Sequence, residues 1–322
     1  MKKSVAILYG GRSGEHEVSL RSAESVMNAL DPERYKVLKF FISREGRWSP
    51  RAITPEPGRN PEIDVVFPVL HGTFGEDGTV QGLLELADLP YVGPGVLGSS
   101  VAMDKDVAKR LCLQAGVPVV AYYVAYSPDD AAKNPFEYPV FVKPANLGSS
   151  VGISKAKSAD ELRDAIAVAR QYDIKVIVER AIVGMELECS VLGNGDPQAS
   201  LPCEILPSRD FYDYDDKYLL DKTEVRLPAA LDEATTAELR RTAVAAYQAL
   251  GCEGMSRVDF LLEAATGRLF VNEVNTIPGF TSISMYPKMW EHSGIPYPKL
   301  LDRLIELALE RHARKRSLRF TR

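Results

Sequence analysis

Cysteine is scarce in this 322-residue chain. Its four cysteines, Cys112, Cys189, Cys203 and Cys252, lie far apart and form no CxxC pair. That spacing fits no zinc knuckle and that density no disulfide scaffold, so buried thiols in a reducing compartment are expected. Long apolar runs are missing too: no segment approaches the ~18 residues that cross a bilayer. Lys2 and Lys3 precede only Val5-Ala6-Ile7-Leu8 before glycines intervene, too short a stretch for a signal peptide and suited to a buried first strand. A cytoplasmic protein, not held in a membrane, is therefore expected. Neither sign of charge dominates. Lys plus Arg total 39 against 44 Asp plus Glu, a net −5 with no overall attraction for nucleic acid or anionic membrane. With 23 Gly and 21 Pro there is no collagen-like or low-complexity bias, which leaves a globular enzyme or binder.

The length suits about two domains, or three small ones. Over the first hundred residues apolar strand patterns (4–10, KVLKFFI, DVVFPVL) alternate with helical ones (18–30, TVQGLLELADL), which predicts an α/β unit with a mostly parallel sheet. Residues 93–100, with three glycines and a proline, read as a hinge. A helix is expected over 104–115, then strands and a helix to about residue 180, where IKVIVER forms a strand. Beyond Glu186 the strands are expected to be longer and alternating, interrupted by an aspartate- and tyrosine-rich stretch at 208–224. SRVDFLLE and RLFVNEVN should pair across a turn at Thr266-Gly267, and a helix from about Tyr297 closes the chain. The basic cluster after Arg311 complements the dipole at that helix end, which makes it a poor signal for nucleic acid.

Gly93-Pro94-Gly95-Val96-Leu97-Gly98 matches GxGxxG, but no acid lies about 20 residues on and a proline sits in the turn, which argues against a dinucleotide site. Gly10-Gly11-Arg12-Ser13-Gly14-Glu15 fits no nucleotide fingerprint, yet it lies at the carboxyl end of the first strand, where open parallel sheets bind ligands. The strongest constellation is Asp259 on one strand with Glu273 and Asn275 two residues apart on the next, hence on one face. Acids inside otherwise apolar strands are costly unless paired or metal-bound, and hard oxygen ligands of this kind suit Mg²⁺. FVKPANLGSSVGI places Lys143 beside a loop rich in backbone N–H and hydroxyl donors, including Ser149 and Ser150, which can close over phosphates. Lys105 offers a second cation, and Glu179, at a strand end, can take an adenine amine.

Taken together, GGRSGEHEVSL (10–20), HGTFGEDGTVQG (71–82), VAMDK (101–105), VKPANLGSSVG, DFYDYDDKY (210–218), SRVDF and NEVNTIPGFTSISM (272–285) resemble, in order and over essentially the whole chain, the D-alanine–D-alanine ligases of the ATP-grasp superfamily. The resemblance implies a three-domain ATP-grasp architecture that is α/β at the N-terminus and α+β beyond. Its parts are an N-terminal parallel-sheet domain (1–102), a central ATP-binding subdomain (103–186) and a C-terminal subdomain (187–322) with a closing loop at 208–224. It implies ATP as substrate, with Lys105, Lys143, Ser149 and Ser150 toward the phosphates and Glu179, Ile182 and Glu186 toward adenine and ribose. Two Mg²⁺ ions, or Mn²⁺, would sit on Asp259, Glu273 and Asn275. Glu15 would hold the ammonium of the first D-alanine near His71, while Arg257 and the Gly279 N–H would stabilise the acyl phosphate and tetrahedral intermediate. Lys217 and Ser284 would grip the second carboxylate, and Ser149, Tyr218 and Glu15 would form a linking triad. A homodimer through the N-terminal domain is implied as well.

Each residue also has a bland physical competitor. Glu15 suits a helix N-terminus, His71 a satisfied turn, Arg257 the neutralisation of its neighbour Asp259, and the loop tyrosines simple packing. The rival activities are a D-Ala–D-Ser or D-Ala–D-lactate ligase, or a nucleotide-binding protein without turnover. Plain binding, however, does not need acids, cations and lid residues all together.

Overall fold

The structure is a computed structural model that describes residues 2–148, 151–206 and 224–319. Its first sheet begins with β1 (Lys3–Gly10), whose apolar run is buried almost throughout. Such a run is what a strand covered on both faces requires. β1 pairs in parallel with β2 (Tyr35–Ile42) on one side and β4 (Val65–Pro68) on the other, while β3 (Trp48–Ser49) adds antiparallel to β2. The order β3-β2-β1-β4 puts a topological switch point at the carboxyl ends of β1 and β4. The predicted parallel sheet is thus present, with one short antiparallel edge. Helix α1 (His16–Ala29) starts immediately after Glu15 at that same end of the sheet.

Helix α2 (Thr79–Leu86) covers one face of this sheet; Val80 and Leu84 pack with Ala6, Leu8 and Val66. The other face shares a core with the far end of the chain. Val5, Ile7 and Phe67 meet Phe280, Trp290, Leu300 and Leu304 from α7 (Met285–His292), α8 (Tyr297–Arg316) and the loop before them. Phe280 is fully buried, edge-on to Phe67 at 5.7 Å and against Tyr286 at 5.6 Å. This aromatic anchor fixes the 276–284 loop against the N-terminal sheet.

The expected hinge at 93–100 holds a helix start and a close backbone contact. Helix α3 (Val96–Met103) begins directly after Gly95, and Gly98 lies so close to the Gly251 carbonyl that a Cβ would stand 2.8 Å from it. The glycine therefore serves close packing between two backbones. α4 (Lys105–Gln114) follows, capped by the Asp104 carboxylate, which accepts from the N–H groups of Asp106 and Val107.

The middle sheet, ordered β5-β8-β6-β7, joins β5 (Tyr122–Ala125), β6 (Val140–Pro144), β7 (Ser154–Ala156) and β8 (Val176–Arg180), all neighbours antiparallel. Its core is closed by α5 (Ala159–Ala169), whose Leu162, Ile166 and Ala169 meet Val140, Val142 and Val178. The third sheet runs β12-β11-β9-β13-β14, with β10 (Gln198–Ala199) on β9. Here β9 is Gly184–Gly193, β11 Cys203–Leu206, β12 Glu224–Arg226, β13 Gly254–Glu263 and β14 Leu269–Asn275. β9 does not show the expected alternation: from Leu187 onward every residue is buried. One face carries α6 (Glu233–Ala249), and the other meets the cleft at Glu186 and Glu188 and then α7, where Ser190 Oγ donates to the Tyr286 carbonyl at 3.3 Å, so little water-facing surface remains to impose a period of two.

Candidate active site

The middle and third sheets face each other across a cleft of about 450 Å³, within the range of ligand sites. Its walls bring together Lys105, Lys143, Glu179, Ile182, Glu186, Asp259 and Glu273, which come from four segments distant in sequence. Position follows from register. Glu179 lies on the central strand β8 opposite Tyr122 and Phe141. Asp259 and Glu273 face each other directly on β13 and β14, and a bulge after Asp259 resets the register. Bulges next to sites re-aim side chains in this way.

Four charged groups of the cleft wall lie close to one another. Lys105 Nζ donates to the Leu147 carbonyl at 2.6 Å and stands 3.9 Å from Glu273 Oε2. Lys143 Nζ meets Glu179 Oε2 at 2.6 Å and Asn272 Oδ1 at 3.0 Å. Burial alone would raise the Glu179 carboxyl, but the ammonium groups of Lys109 and Lys143 outweigh it and hold the group at about 2. Glu179 is thus an acceptor at any physiological pH.

Arg257 forks onto Asp259, with Nε and an Nη each 2.7 Å from a carboxylate oxygen, and its Nε lies 3.3 Å from Glu188 Oε2. Asn275 Nδ2 donates to Asp259 Oδ2 at 3.0 Å. Arg257 therefore does neutralise Asp259, but inside the cleft wall: both side chains are mostly buried. Among the described residues no three His, Cys, Asp or Glu side chains gather as a metal site. Two opposed carboxylates with one amide is nevertheless the donor set that fits Mg²⁺, which takes one or two carboxylates and completes its shell with phosphate oxygens and water.

A second cluster lies where the N-terminal sheet meets the 276–284 loop. His71 is buried with both ring nitrogens engaged, Nδ1 on the Ile277 carbonyl at 2.9 Å and Nε2 on Ser22 Oγ at 3.2 Å. Burial lowers its pKa, so the ring is neutral, with Nδ1–H donating to Ile277 and Nε2 accepting from Ser22. Ser22 Oγ also accepts from the Phe280 N–H, which leaves His71 as a strut beneath the Gly279 turn. Ser284 Oγ accepts from Thr281 N–H at 3.0 Å and lies 2.7 Å from the position a Gly279 Cβ would take. Glu15 is buried beside Gly72, where a Cβ would stand 2.5 Å from its Oε2 and where φ is +71°. The positive φ favours glycine there, and any side chain would push the Glu15 carboxylate aside. Gly148 brings the loop after β6 to the same carboxylate, 3.4 Å from its own Cβ position. Ser149, Ser150, Lys217 and Tyr218, and with them the linking triad and the closing loop, lie outside the described residues.

Several functional neighbours escaped the sequence reading. Glu76 accepts from the N–H groups of Gly72 at 2.7 Å and Ile277 at 3.0 Å, tying the two halves of this cluster. It stands inside the quoted HGTFGEDG segment, and its contact with residue 277 had no local signal. Lys109 was equally missed, although it lies one helical turn after Lys105 on the same face. Burial, then the nearby Glu15 charge, pushes the Glu76 carboxyl up to about 8. Its folded pKa is raised above the unfolded value, so the folded state keeps a proton the unfolded chain has lost. That stability is present at low pH and lost as pH climbs from about 4.5 through about 8. The slope is at most about 1.4 kcal/mol per pH unit. Urea melts at pH 6, 7, 8 and 9 should show a shallower decline for Glu76→Gln than for the parent, whatever the absolute offset. Parallel declines would show that Glu76 does not hold the proton.

Two antiparallel sheets facing each other across a cleft of lysines and opposed carboxylates, beside a parallel N-terminal sheet, define a class, the ATP-grasp enzymes, and solved ligases share this shape. The D-alanine-D-alanine ligase from Coxiella burnetii matches with a TM-score of 0.88 and 39% identity, covering 98% of this chain and 96% of that one. VanG D-Ala:D-Ser ligase from Enterococcus faecalis matches at 0.87 and 37%, covering 96% and 100%. The family models for the D-ala D-ala ligase N-terminus and C-terminus match residues 4–57 with 51–94, and 111–306. A D-alanine--D-alanine ligase of Solibacter usitatus is 63% identical over the full length of both chains. The chain belongs to the D-alanine–D-alanine ligase family.

Proposed function

We propose that this protein joins two D-alanine molecules into D-alanyl-D-alanine, converting ATP to ADP and phosphate, for peptidoglycan precursors. The observation that carries the reading is the single cleft in which Lys105, Lys143 and Glu179 face Asp259 and Glu273. A non-catalytic nucleotide binder has no need of opposed carboxylates beside a buried guanidinium.

In this reading the first D-alanine binds by its ammonium at Glu15, below the Gly148 loop. Its carboxylate oxygen attacks the γ-phosphorus of ATP, and ADP leaves with the electrons of the broken P–O bond. Lys105 and Lys143, which both line the cleft, are assigned to the charge that develops on the transferring phosphoryl group. Asp259, Glu273 and Asn275 would hold two Mg²⁺ ions, or Mn²⁺, whose chemistry when bound is to neutralise phosphate charge. The neutral amine of the second D-alanine then attacks the acyl carbon. Arg257 and the Gly279 N–H stabilise the oxyanion, and phosphate departs with the proton that the amine nitrogen sheds as the peptide bond closes. Ser284, at the Gly279 turn, and Lys217 are assigned to the second carboxylate. Ile182 and Glu186 line the end of the cleft assigned to adenine and ribose. His71, whose ring nitrogens meet the Ile277 carbonyl and Ser22 Oγ, is assigned beside the first D-alanine.

The three-part organisation (1–102, 103–186 and 187–322), a homodimer and a cytoplasmic location without nucleic-acid partners complete the proposal. No helix of the described residues is long and apolar enough to cross a membrane. The decisive experiment incubates the protein with Mg²⁺-ATP and D-alanine, D-serine or D-lactate, reading phosphate release and product mass. D-Alanyl-D-alanine should dominate at neutral pH. A mixed D-Ala–D-Ser or ester product would move the assignment within the family, and no phosphate release would end it.

A further inference from the structure

Glu179 has two ammonium partners, and they lie on opposite sides of it. Lys143, which meets Oε2, lines the nucleotide cleft. Lys109, which meets Oε1 at 2.6 Å, lines none of that cleft and is only 3% exposed. It reaches Glu179 from behind, out of α4, with the Val120 carbonyl at 3.4 Å and the Tyr122 ring face at 5.4 Å. Tyr122 is itself the β5 residue paired with Glu179, so strand register delivers the ring and the carboxylate to Lys109 together. A buried ammonium of this kind is costly unless something requires it, and it can touch no ligand in the cleft.

We propose that Lys109 is a positioning residue that clamps Oε1 of Glu179 from behind, so that Oε2 is presented to the exocyclic amine of adenine when Lys143 turns to the phosphates. The inference rests on the reading of the cleft as the ATP site and adds the source of its base selectivity. Without nucleotide, Lys143 closes on Oε2. With nucleotide, Lys143 has phosphate oxygens to pair with, and only a second, permanent cation keeps the carboxylate from being stranded in a buried wall. A carboxylate held in this state accepts and cannot donate. It therefore favours the 6-amino group of adenine and repels the 6-oxo group of guanine. The opposing pulls on the two lysines agree with this division: burial depresses Lys109 despite its partner, whereas for Lys143 the carboxylate outweighs burial and raises it.

The test compares Lys109→Met, Lys109→Arg and Glu179→Gln in the full-length enzyme, with ATP and GTP as donors. For Lys109→Met, KM for ATP should rise about tenfold or more. KM for D-alanine should stay within about threefold, and the preference for ATP over GTP should fall about tenfold. Lys109→Arg should restore most of the ATP affinity, which a packing role would not predict. A folded Lys109→Met enzyme with unchanged ATP affinity and unchanged selectivity overturns the proposal. Should Lys109→Met fail to fold, the double variant Lys109→Met/Glu179→Gln, in which no carboxylate is stranded, takes its place. On the proposal it behaves as Glu179→Gln alone, and a further loss of ATP affinity beyond that variant overturns it. Glu179→Gln separates the two levels. If it leaves ATP affinity and selectivity intact, the base end of the cleft has been misread; if it lowers both while Lys109→Met lowers neither, only the Lys109 inference fails.

Discussion

Glu273→Gln should lower turnover by about a thousandfold while leaving the protein folded, a separation that follows from where the charge sits. The substitution keeps the shape of the side chain and removes one of the two carboxylates in the Asp259–Glu273 pair. A divalent ion at a phosphoryl-transfer centre supplies several kcal/mol of charge stabilisation, and about 4 kcal/mol corresponds to that factor in rate. Against this, the stabilising role of Glu273 is small. Its side chain is 22% exposed, and one of its cationic neighbours, Lys105, stands 3.9 Å away, at the limit of an ion pair. An amide of the same shape keeps the packing and gives up only this long ion pair. Circular dichroism and the thermal midpoint should therefore stay near those of the parent, and the apparent Mg²⁺ requirement should rise steeply. A folded Glu273→Gln enzyme with near-parental kcat would remove this residue from the metal assignment. Loss of the fold would instead make it a structural acid.

The sequence made the catalytic strands legible because their physics is local. Asp259, Glu273 and Asn275 are polar residues at odds with the apolar strands carrying them, and a strand's period of two puts the last two on one face. β1 was legible for the complementary reason, since an unbroken apolar run after a charged start has few homes outside a buried parallel sheet. What stayed hidden depends on contacts between distant segments. Glu76 draws its role from an N–H two hundred residues away, and Lys109 from a carboxylate seventy residues on. The glycines at 93–98 kept a long-range contact hidden in the same way. Their local pattern suggests a flexible joint, while Gly98 is fixed by the approach of the 251 carbonyl. His71 was placed near the substrate by resemblance alone, and only the structure reveals that its two nitrogens are occupied by Ile277 and Ser22.

Arg257 carries the other large effect, in which stability and chemistry fall together and must be separated. Its guanidinium spreads over the Asp259 carboxylate with two bonds of 2.7 Å and reaches Glu188 at 3.3 Å. The three side chains are 15%, 12% and 6% exposed, so solvent screening does little to soften the loss of the cation. Arg257→Met leaves two largely buried carboxylates without it, which should cost about 3–5 kcal/mol. In the proposed reaction the same group faces the tetrahedral oxyanion, and losing one such donor lowers kcat by about 10²–10³. Arg257→Lys distinguishes these contributions. A lysine restores a positive charge between Asp259 and Glu188 and should recover much of the stability. Its point charge cannot reproduce the planar fork, so kcat should remain at least about a hundredfold low. Both variants are to be assayed well below their melting temperatures, with denaturant titrations run in parallel. If Arg257→Lys recovers kcat along with stability, Arg257 acts only as a countercharge for the acids around it, and the oxyanion must be stabilised by the Gly279 N–H and groups yet to be assigned.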